Sequence, residues 1–433
     1  MIPDSVTDIG NSAFYNCSNL TSITIPDSVT SVGNRAFYSC TDLTKINWNA
    51  ENVSNFTDTS KVFYDAGTAG SGIDVVFGNN VKSIPAYAFD GCSSLTSATI
   101  GNSVISVGNR AFKDCTGLTK INWNAENVSD FTSNSNVFYN AGTNGSGINV
   151  VFGDNVKKIP EYAFYVSDSS YHPKIKSVTI GNSVKTIGSS AFDGCTGLTK
   201  INWNAENVNA FSSDSKVFYN AGTAGAGIDV VFGDNVKSIP VNAFYVSDSS
   251  YRPKLTSVTI GNNVTSIGSS AFNSCSGLTS IMIPDSVTSI GRFTFNSCSG
   301  LTSATIGNSV TGISESAFRD CTSLTSVTIG NSVEVIENAA FSRCTSLESI
   351  TIPDSVRIVN INAFYGCSGL TSATIGNSVK VIENAAFSGC TGLTSVTIGN
   401  SVESVGNRAF YNCTGLNKIN WNAENVSNFT DIS

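Results

Sequence analysis

The chain has 433 residues, of which 40% are hydrophobic and only 13% are charged, and its formal net charge is −8. The sequence lacks the clustered lysine and arginine that a nucleic-acid surface needs, so we expect no nucleic-acid partner. No apolar stretch approaches the roughly 20 residues of a membrane-spanning helix, so we expect no direct membrane insertion.

Both ends of the chain resemble parts of a repeating segment. The chain opens on Ile2-Pro3-Asp4-Ser5-Val6, which copies residues 25–29, and it closes inside a similar unit between Asn417 and Ser433. We therefore expect both ends to be truncated within a unit of a longer parent protein, whose signal and anchor lie outside this sequence. Because Ser, Thr, Asn and Gly supply most of the polar surface, we expect an extracellular or cell-surface location.

One repeat unit reads Leu20-x-x-Ile23-x-Ile25-Pro26-x-x-Val29-x-x-Val32-x-x-x-Ala36-Phe37-x-x-Cys40, and Leu43 starts the next. A strict short period of this kind predicts a solenoid of stacked coils. The marker phenylalanine keeps a spacing of 23 residues at Phe272, Phe295, Phe318, Phe341, Phe364, Phe387 and Phe410.

Each unit predicts a strand, a turn and a short helical segment. The alternation Ser22-Ile23-Thr24-Ile25 is typical of a half-buried strand whose isoleucines face inward. Pro26-Asp27-Ser28 is typical of a turn, and Val29 with Val32 predicts a second short inward-facing strand. Asn34 is the predicted cap of one short helical turn over residues 35–37.

Three stretches widen the marker spacing to 52 residues, within 44–89, 119–164 and 199–244. The midpoint of each stretch copies the marker as Val-Phe-x-x-Ala, at Phe63, Phe138 and Phe218, 26 residues from the phenylalanine on either side. We interpret these stretches as variant coils in which Ala replaces Cys, so that residues 1–433 form one continuous solenoid of about 17 coils. Five extra residues after Phe164 and after Phe244 predict two loops that leave the regular path.

All 12 cysteines fall three residues after a marker phenylalanine. One Cys per coil predicts a column of buried free thiols and not a disulfide framework, and metal binding and regulated oxidation are the less favoured alternatives. The four tryptophans occupy inward positions, so we interpret them as core residues and not as sugar platforms: Trp48, Trp123, Trp203 and Trp421.

The repeat unit, with its Ala36-Phe37-x-x-Cys40 signature, resembles the BspA-type leucine-rich repeat of bacterial surface proteins, also found in a parasitic protist. The resemblance covers essentially the whole chain. It implies a right-handed leucine-rich-repeat solenoid with a parallel concave β-sheet, short second strands, and short helical or 3-10 turns on the convex side. It also implies adhesion to host proteins, partner cells or extracellular matrix. The variant coils with Trp and without Cys depart from the family pattern.

Catalytic and cofactor motifs are missing. His172, the single histidine, lies in an extra loop whose sister loop has Arg252, which argues against a catalytic triad or a histidine metal site. Gly222-Thr-Ala-Gly-Ala-Gly227 lacks the Lys-Ser/Thr of a phosphate loop. We therefore expect no enzyme activity, no cofactor and no metal site, and calcium at the stacked turns stays an open alternative.

The outward strand positions of the variant coils are the candidate partner-binding residues, because they break an otherwise uniform Ser/Thr ladder. An ordinary solvated surface is the alternative interpretation. We expect a cell-surface or secreted adhesion module that binds a host or partner-cell protein, with a passive spacer or a carbohydrate-binding module as alternatives, and with end-to-end self-association as a further prediction. The candidates are Lys45, Asn47, Asp74, Val76, Lys120, Asn122, Asn149, Val151, Lys200, Asn202, Asp229 and Val231, with Tyr171 and Tyr251 in the extra loops.

Overall fold

The computed structural model describes residues 2–424, 426 and 428–429. The chain divides into two compact units: unit 1 comprises Met1–Glu206 and Ser215–Ile228, and unit 2 comprises Asn207–Asp214 and Asp229–Ser433. Within the described residues both units consist of β-strands and turns with two short 3-10 helices and no α-helix. None of these helices is long and apolar enough to cross a membrane.

Unit 1 contains a parallel sheet of longer strands, hydrogen-bonded in chain order. Alternate residues of each strand are buried, as Ile23 and Ile25 show, which confirms the predicted strand pattern. The register places Ser22 beside Lys45 and Ile25 beside Trp48. The eight strands are Ser22–Ile25, Lys45–Trp48, Ile73–Phe77, Leu95–Ile100, Lys120–Trp123, Ile148–Phe152, Ile175–Ile180 and Lys200–Trp203.

The second set of strands in unit 1 is interrupted. Six strands of two residues form three separate pairs, because each pair is followed by a variant coil that lacks such a strand. In the first variant coil the N–H of Lys82 donates to Glu51 O at 3.0 Å, the N–H of Ser54 donates to Thr30 O at 3.2 Å and the N–H of Phe56 donates to Ala86 O at 3.1 Å. This segment therefore keeps single backbone hydrogen bonds to both neighbouring coils without forming a strand. The pairs are Asp8–Ile9 with Ser31–Val32, Ser83–Ile84 with Ser106–Val107, and Lys158–Ile159 with Thr186–Ile187.

Unit 2 has the opposite arrangement. Of its longer strands, Ile228–Phe232 (from the last residue of unit 1) pairs with Leu255–Thr259, and the others form two separate sheets: Ser280–Ile283, Ser303–Ile306 and Ser326–Thr328; and Ser349–Ile352, Ser372–Ile375, Ser395–Ile398 and Lys418–Trp421. Its short strands form one group of three, Ser238–Ile239, Ser266–Ile267 and Ser289–Ile290, and one ladder of six, Gly312–Ile313, Val335–Ile336, Ile358–Val359, Val381–Ile382, Ser404–Val405 and Asn428–Phe429.

A column of stacked phenylalanine rings runs through the core of each unit. In unit 1, Phe63 of the first variant coil stacks between Phe37 and Phe89, with ring centroids 5.1 Å apart on both sides. In unit 2, Phe341 of a regular coil stacks between its two neighbours at 5.3 Å. All of these rings are fully buried, and each buried phenylalanine contributes roughly 1.5–3 kcal/mol to folding by leaving water.

The predicted helical turn over residues 35–37 is wrong. Arg35 and Ser39 adopt left-handed backbone conformations, with φ of 55° and 56°, so the segment forms successive turns. The N–H groups of Arg35 and Phe37 donate to Ser60 O at 2.7 Å and to Val62 O at 3.0 Å in the next coil. These N–H groups are therefore satisfied between coils, and a helix would direct them back along their own segment. The predicted cap is wrong too, because no helix begins at Asn34; its N–H donates to the Asn11 side chain of the preceding coil at 2.8 Å.

Ten of the cysteines are buried, and all twelve are free thiols. In the regular coils the thiol donates to the marker phenylalanine carbonyl of the preceding coil, as Cys298 does to Phe272 O at 3.1 Å. Burial raises the pKa of Cys40 to about 11 and that of Cys92 to about 12. Cys17 departs from the predicted column because no earlier described coil covers it, and Cys413 is half-buried.

The short 3-10 helices lie in the two extra loops, at Ser169–Tyr171 in unit 1 and Ser249–Tyr251 in unit 2. The side chains of Asp168 and Asp248 cap them by accepting the N–H of the residue two positions later at 3.0 Å. Helical turns on the convex side were expected in the regular coils, whereas among the described residues they occur only in these loops.

Candidate functional site

The outward face of the longer-strand sheet of unit 1 carries most of the candidate residues. The backbone register aligns them in two rows that run across the strands. The first row is Ser22, Lys45, Asp74, Ser97, Lys120, Asn149, Ser177 and Lys200. The second row is Thr24, Asn47, Val76, Thr99, Asn122, Val151, Thr179 and Asn202.

The rows point outward because the alternating residues of the same strands fill the core. In the strand Lys45–Trp48, Ile46 and Trp48 are fully buried while Lys45 is exposed and Asn47 is half-buried. Trp48, Trp123 and Trp203 therefore cannot serve as sugar platforms. Trp421 is 37% exposed, so its predicted core position is wrong: no later described longer strand covers it.

Side-chain hydrogen bonds hold the asparagines of the second row. The amide nitrogen of Asn47 donates to the Thr24 hydroxyl at 3.2 Å, and Asn122 donates to Thr99 at the same distance. Asn202 donates to Thr179 at 3.4 Å. Because one preceding threonine orients each amide, the face presents fixed polar groups that a partner would not have to order on binding.

The lysines of the first row are free of ion pairs. Lys45, Lys120 and Lys200 are exposed, and none of them belongs to a salt bridge among the described residues. Asp74 lies directly beside Lys45 in the register, whereas Asn149 lies beside Lys120. The ammonium groups are thus available to an incoming carboxylate, and the local charge differs from one variant region to the next.

Unit 2 carries the remaining strand candidates, Asp229 and Val231, which are half-exposed on the strand Ile228–Phe232. The hydroxyl of Ser257 donates to the Asp229 carboxylate. The coils that follow present Ser and Thr outward, except at Met282, which is 71% exposed in a threonine position, and at Lys418 and Asn420 in the strand Lys418–Trp421. The alternation Ser280-Ile281-Met282-Ile283 was the signal that could have identified Met282.

The two loop tyrosines lie on their own 3-10 helices, outside the strands that form the two rows. The ring of Tyr171 stacks on Tyr139 at 4.6 Å, and the N–H of Asn140 donates to Tyr171 O at 2.7 Å, so this loop covers the turn side of unit 1. Tyr171 is 40% exposed and Tyr251, in unit 2, is 43% exposed. The structure therefore does not bring Tyr171 together with the lysines and asparagines of the sheet.

His172 anchors its loop to unit 1. Its Nδ1 lies 2.9 Å from Gly194 O and its Nε2 lies 2.7 Å from Val166 O. In the sister loop, Arg252 donates its Nε to Val246 O at 3.4 Å, so a cationic side chain holds the equivalent carbonyl. Burial raises the pKa of the neighbouring Asp193 to about 6, against the opposing charges of His172 and Lys216. These contacts fasten a loop, and no group of three or more His, Cys, Asp or Glu residues in the described chain could hold a metal ion.

Structural comparison finds bacterial repeat proteins. A leucine-rich repeat protein from Bacteroides ovatus is 23% identical over 96% of this chain and 82% of that protein, with a TM-score of 0.48. A leucine-rich cell surface protein from Faecalibacterium prausnitzii is 24% identical over 97% of this chain and 84% of that protein, with a TM-score of 0.28. The pneumococcal vaccine antigen PcpA is 16% identical over 97% of this chain and 84% of the antigen, with a TM-score of 0.32. Comparison with curated proteins finds no significant match.

The family model described as BspA type leucine rich repeat region matches residues 1–66, 59–169, 167–251, 246–371 and 358–432. These overlapping matches extend over the regular and the variant coils alike. They confirm the resemblance carried by the Ala-Phe-x-x-Cys signature, and with the parallel strands they confirm a leucine-rich-repeat solenoid. The chain therefore belongs to the BspA type leucine-rich repeat family.

Proposed function

We propose that the chain is a non-catalytic binding module of a secreted or cell-surface protein, and that it recognises a protein of a host or partner cell. The binding surface is the outward face of the longer-strand sheet in unit 1. The observation that carries this proposal is the recurrence of Lys and Asn, at Lys45/Asn47, Lys120/Asn122 and Lys200/Asn202, at matching positions of a continuous sheet.

The physical properties of this face suit recognition. With strands about 4.8 Å apart, its eight strands present a sheet roughly 34 Å wide. The asparagine amides are fixed by threonine hydroxyls, the lysine ammonium groups are free of ion pairs, and Val151 adds an apolar contact at 37% exposure. Fixed amides, free charges and small apolar contacts together give a partner both orientation and affinity.

A spacer role is the second candidate, and it fits unit 2. Between Ser303–Ile306 and Ser395–Ile398 every outward strand residue is Ser or Thr, so this part of the chain offers little chemical variety. We propose that unit 2 serves mainly to extend the molecule and that unit 1 makes the specific contacts.

The test is capture of proteins from a host extracellular-matrix preparation by the immobilised chain. We expect the triple variant K45E/K120E/K200E to lose most of the specific capture, because each substitution turns an attractive ammonium into a repulsive carboxylate. The matched control K82E/K185E/K237E makes the same change in net charge at lysines outside the two rows, and it should capture as the unchanged chain does. Equal capture by the two triple variants would contradict the proposed surface.

A further inference from the structure

The three variant regions have nearly the same sequence, but the middle region differs from the other two in charge on the outward face. Asn149 stands where the first and third regions have Asp74 and Asp229. In the strand that follows the middle region, Lys176 stands where the corresponding strands after the other two regions have Thr96 and Thr256. The first difference removes a negative charge and the second adds a positive charge, so the net charge at this place is more positive by two in the middle region.

Both differences fall at one point of the sheet. Asn149 pairs with Ser177, and the register shifts between Ile148 and Asn149, which makes Lys176 the extra residue of a β-bulge. The bulge directs its side chain outward, and Lys176 is exposed. In the first region the same bulge holds Thr96, whose hydroxyl donates to Ile73 O at 3.1 Å and is only half-exposed.

Lys176 and Lys120 lie on opposite sides of Asn149. Lys120 pairs with Asn149 in the register, and Asn149 accepts a hydrogen bond from Ser177 at 2.6 Å. The two lysine strands are two intervals apart, or about 10 Å. We define Lys120, Asn149, Val151, Lys176 and Ser177 as the middle patch.

No carboxylate balances the middle patch on its own strands. The outward residues from Lys120–Trp123 through Lys200–Trp203 are lysine, asparagine, serine, threonine and valine. In the first region, by contrast, the carboxylate of Asp74 lies beside Lys45 in the register, whereas Lys120 has the neutral Asn149 beside it. The patch is thus locally positive in a chain whose net charge is −8.

We propose that the middle patch binds an extended acidic segment of the partner protein, with Lys120 and Lys176 each pairing with one carboxylate. This inference rests on the proposed function and names the chemistry of the partner. About three residues of an extended chain span the distance of about 10 Å between the lysine strands. The side chain of Asn149 lies on the strand between the two lysine strands, and Ser177 lies next to Lys176, so both can bond to the peptide backbone of the segment.

The composition of the face favours a carboxylate-bearing peptide over a sulfated polysaccharide. Sulfate and phosphate groups are recognised best by the planar guanidinium of arginine, which makes paired hydrogen bonds. The two outward rows of unit 1 contain lysine and no arginine. Val151 adds an apolar contact beside the charges, which suits a side chain of a peptide.

The experiment measures binding of fluorescein-labelled decaglutamate to the full chain by anisotropy at low salt. The double variant N149D/K176T gives the middle region the residues of the first region, and we expect it to weaken binding by about tenfold, as two lost charge interactions would. The control S326D/S395D makes the same change in net charge on the Ser/Thr rows of unit 2, and it should leave the affinity within about twofold.

A gain-of-site variant sharpens the test. D74N/T96K gives the first region the residues of the middle patch, and we expect the stoichiometry of decaglutamate binding to rise from one to two. Equal binding by N149D/K176T and the unchanged chain would overturn the inference. Patch-dependent binding of heparin without binding of decaglutamate would overturn it in favour of a sulfated polysaccharide.

The failures of this inference and of the proposed function are distinguishable. If K45E/K120E/K200E captures matrix protein as well as its control does, the proposed function fails. If that variant loses capture while N149D/K176T keeps full capture and full decaglutamate binding, only the acidic-segment inference fails.

Discussion

Units 1 and 2 contain the same kind of coil, but different strands are hydrogen-bonded without interruption in each unit. In unit 1 the longer strands form a continuous sheet of eight, and the short strands occur only in separate pairs. In unit 2 six short strands form one ladder, and the longer strands fall into groups. Where variant coils occur, the sheet of longer strands is therefore continuous and the ladder of short strands is interrupted.

The local cause is visible in the first variant coil. Residues 52–55 form no short strand, while the following strand Ile73–Phe77 has one residue more than the usual four. Longer strands give the outward face more paired backbone, and the same coils place Lys, Asn and Val on it. The departures from the regular unit therefore supply both the continuous sheet of unit 1 and the chemical variety of its outward face.

Truncating one buried phenylalanine in each unit tests whether variant and regular coils contribute equally to the core. Phe63→Ala in unit 1 and Phe341→Ala in unit 2 each remove a fully buried stacked ring, so each should cost about 3–5 kcal/mol. Urea unfolding followed by tryptophan fluorescence and circular dichroism measures both. A cost below about 1 kcal/mol for Phe63→Ala alone would show that the variant coil is not a true member of the ring column.

Thiol reactivity should distinguish the exposed Cys17 from the ten buried cysteines. At pH 8, burial should make Cys92, with its pKa raised to about 12, roughly a thousandfold less reactive than an ordinary thiol. Titration of the native chain should show one fast thiol, and Cys17→Ser should remove it. Mass spectrometry that found the buried thiols paired or rapidly modified would contradict the column.

Glycine substitutions compare a variant loop with a regular strand. Gly67 has φ of +70°, and a Cβ there would lie 2.7 Å from Leu43 O, so Gly67→Ala should cost about 1–3 kcal/mol. Gly312, in a short strand of unit 2, has no neighbour within 3.7 Å of a built Cβ, so Gly312→Ala should be nearly neutral. Similar thermal midpoints for the two variants would contradict this difference between the units.

The pH dependence of stability compares Asp193 with Asn273, which occupies the equivalent position in unit 2. Because burial raises the pKa of Asp193 to about 6, the folded state binds a proton more tightly than the unfolded state. The stability from this group is full below about pH 4 and is lost as the pH rises through about 6. Asp193→Asn should therefore stabilise the protein by about 1–2 kcal/mol at pH 8 and have little effect at pH 4. Equal effects at both pH values, measured by thermal unfolding, would refute this.

Much of the fold follows from the spacing of apolar residues. The alternation at Ile23 and Ile25 predicted the strands, and the Ala36-Phe37-x-x-Cys40 marker predicted the stacked interior. The turn side was not predictable in the same way, because Arg35 and Ser39 adopt left-handed conformations that are uncommon for residues other than glycine. Neighbouring coils stabilise these conformations by accepting their N–H groups, and a single unit does not show that.

The outward position of the candidate strand residues could be predicted from the sequence, but the contacts of the loop residues could not. Alternation alone placed Lys45, Lys120 and Asn149 outward, and the structure shows how the register aligns them. The alternation could not reveal that the loop of Tyr171 covers the turn side of unit 1. The direction of this loop depends on the contacts of Tyr171 with Asn140 and of His172 with Gly194. The division into about 17 coils stays a prediction.

Lysine footprinting of the partner-bound chain tests directly whether the outward sheet face of unit 1 binds the partner. The chain, saturated with a protein captured from extracellular matrix, is acetylated briefly and the modified lysines are quantified by mass spectrometry. We predict that Lys45, Lys120 and Lys200 become protected by at least about fivefold, while Lys82 and Lys185, which directly precede short strands of unit 1, are modified as in the free chain. Unchanged modification of the three sheet lysines in the complex would contradict a binding face on unit 1.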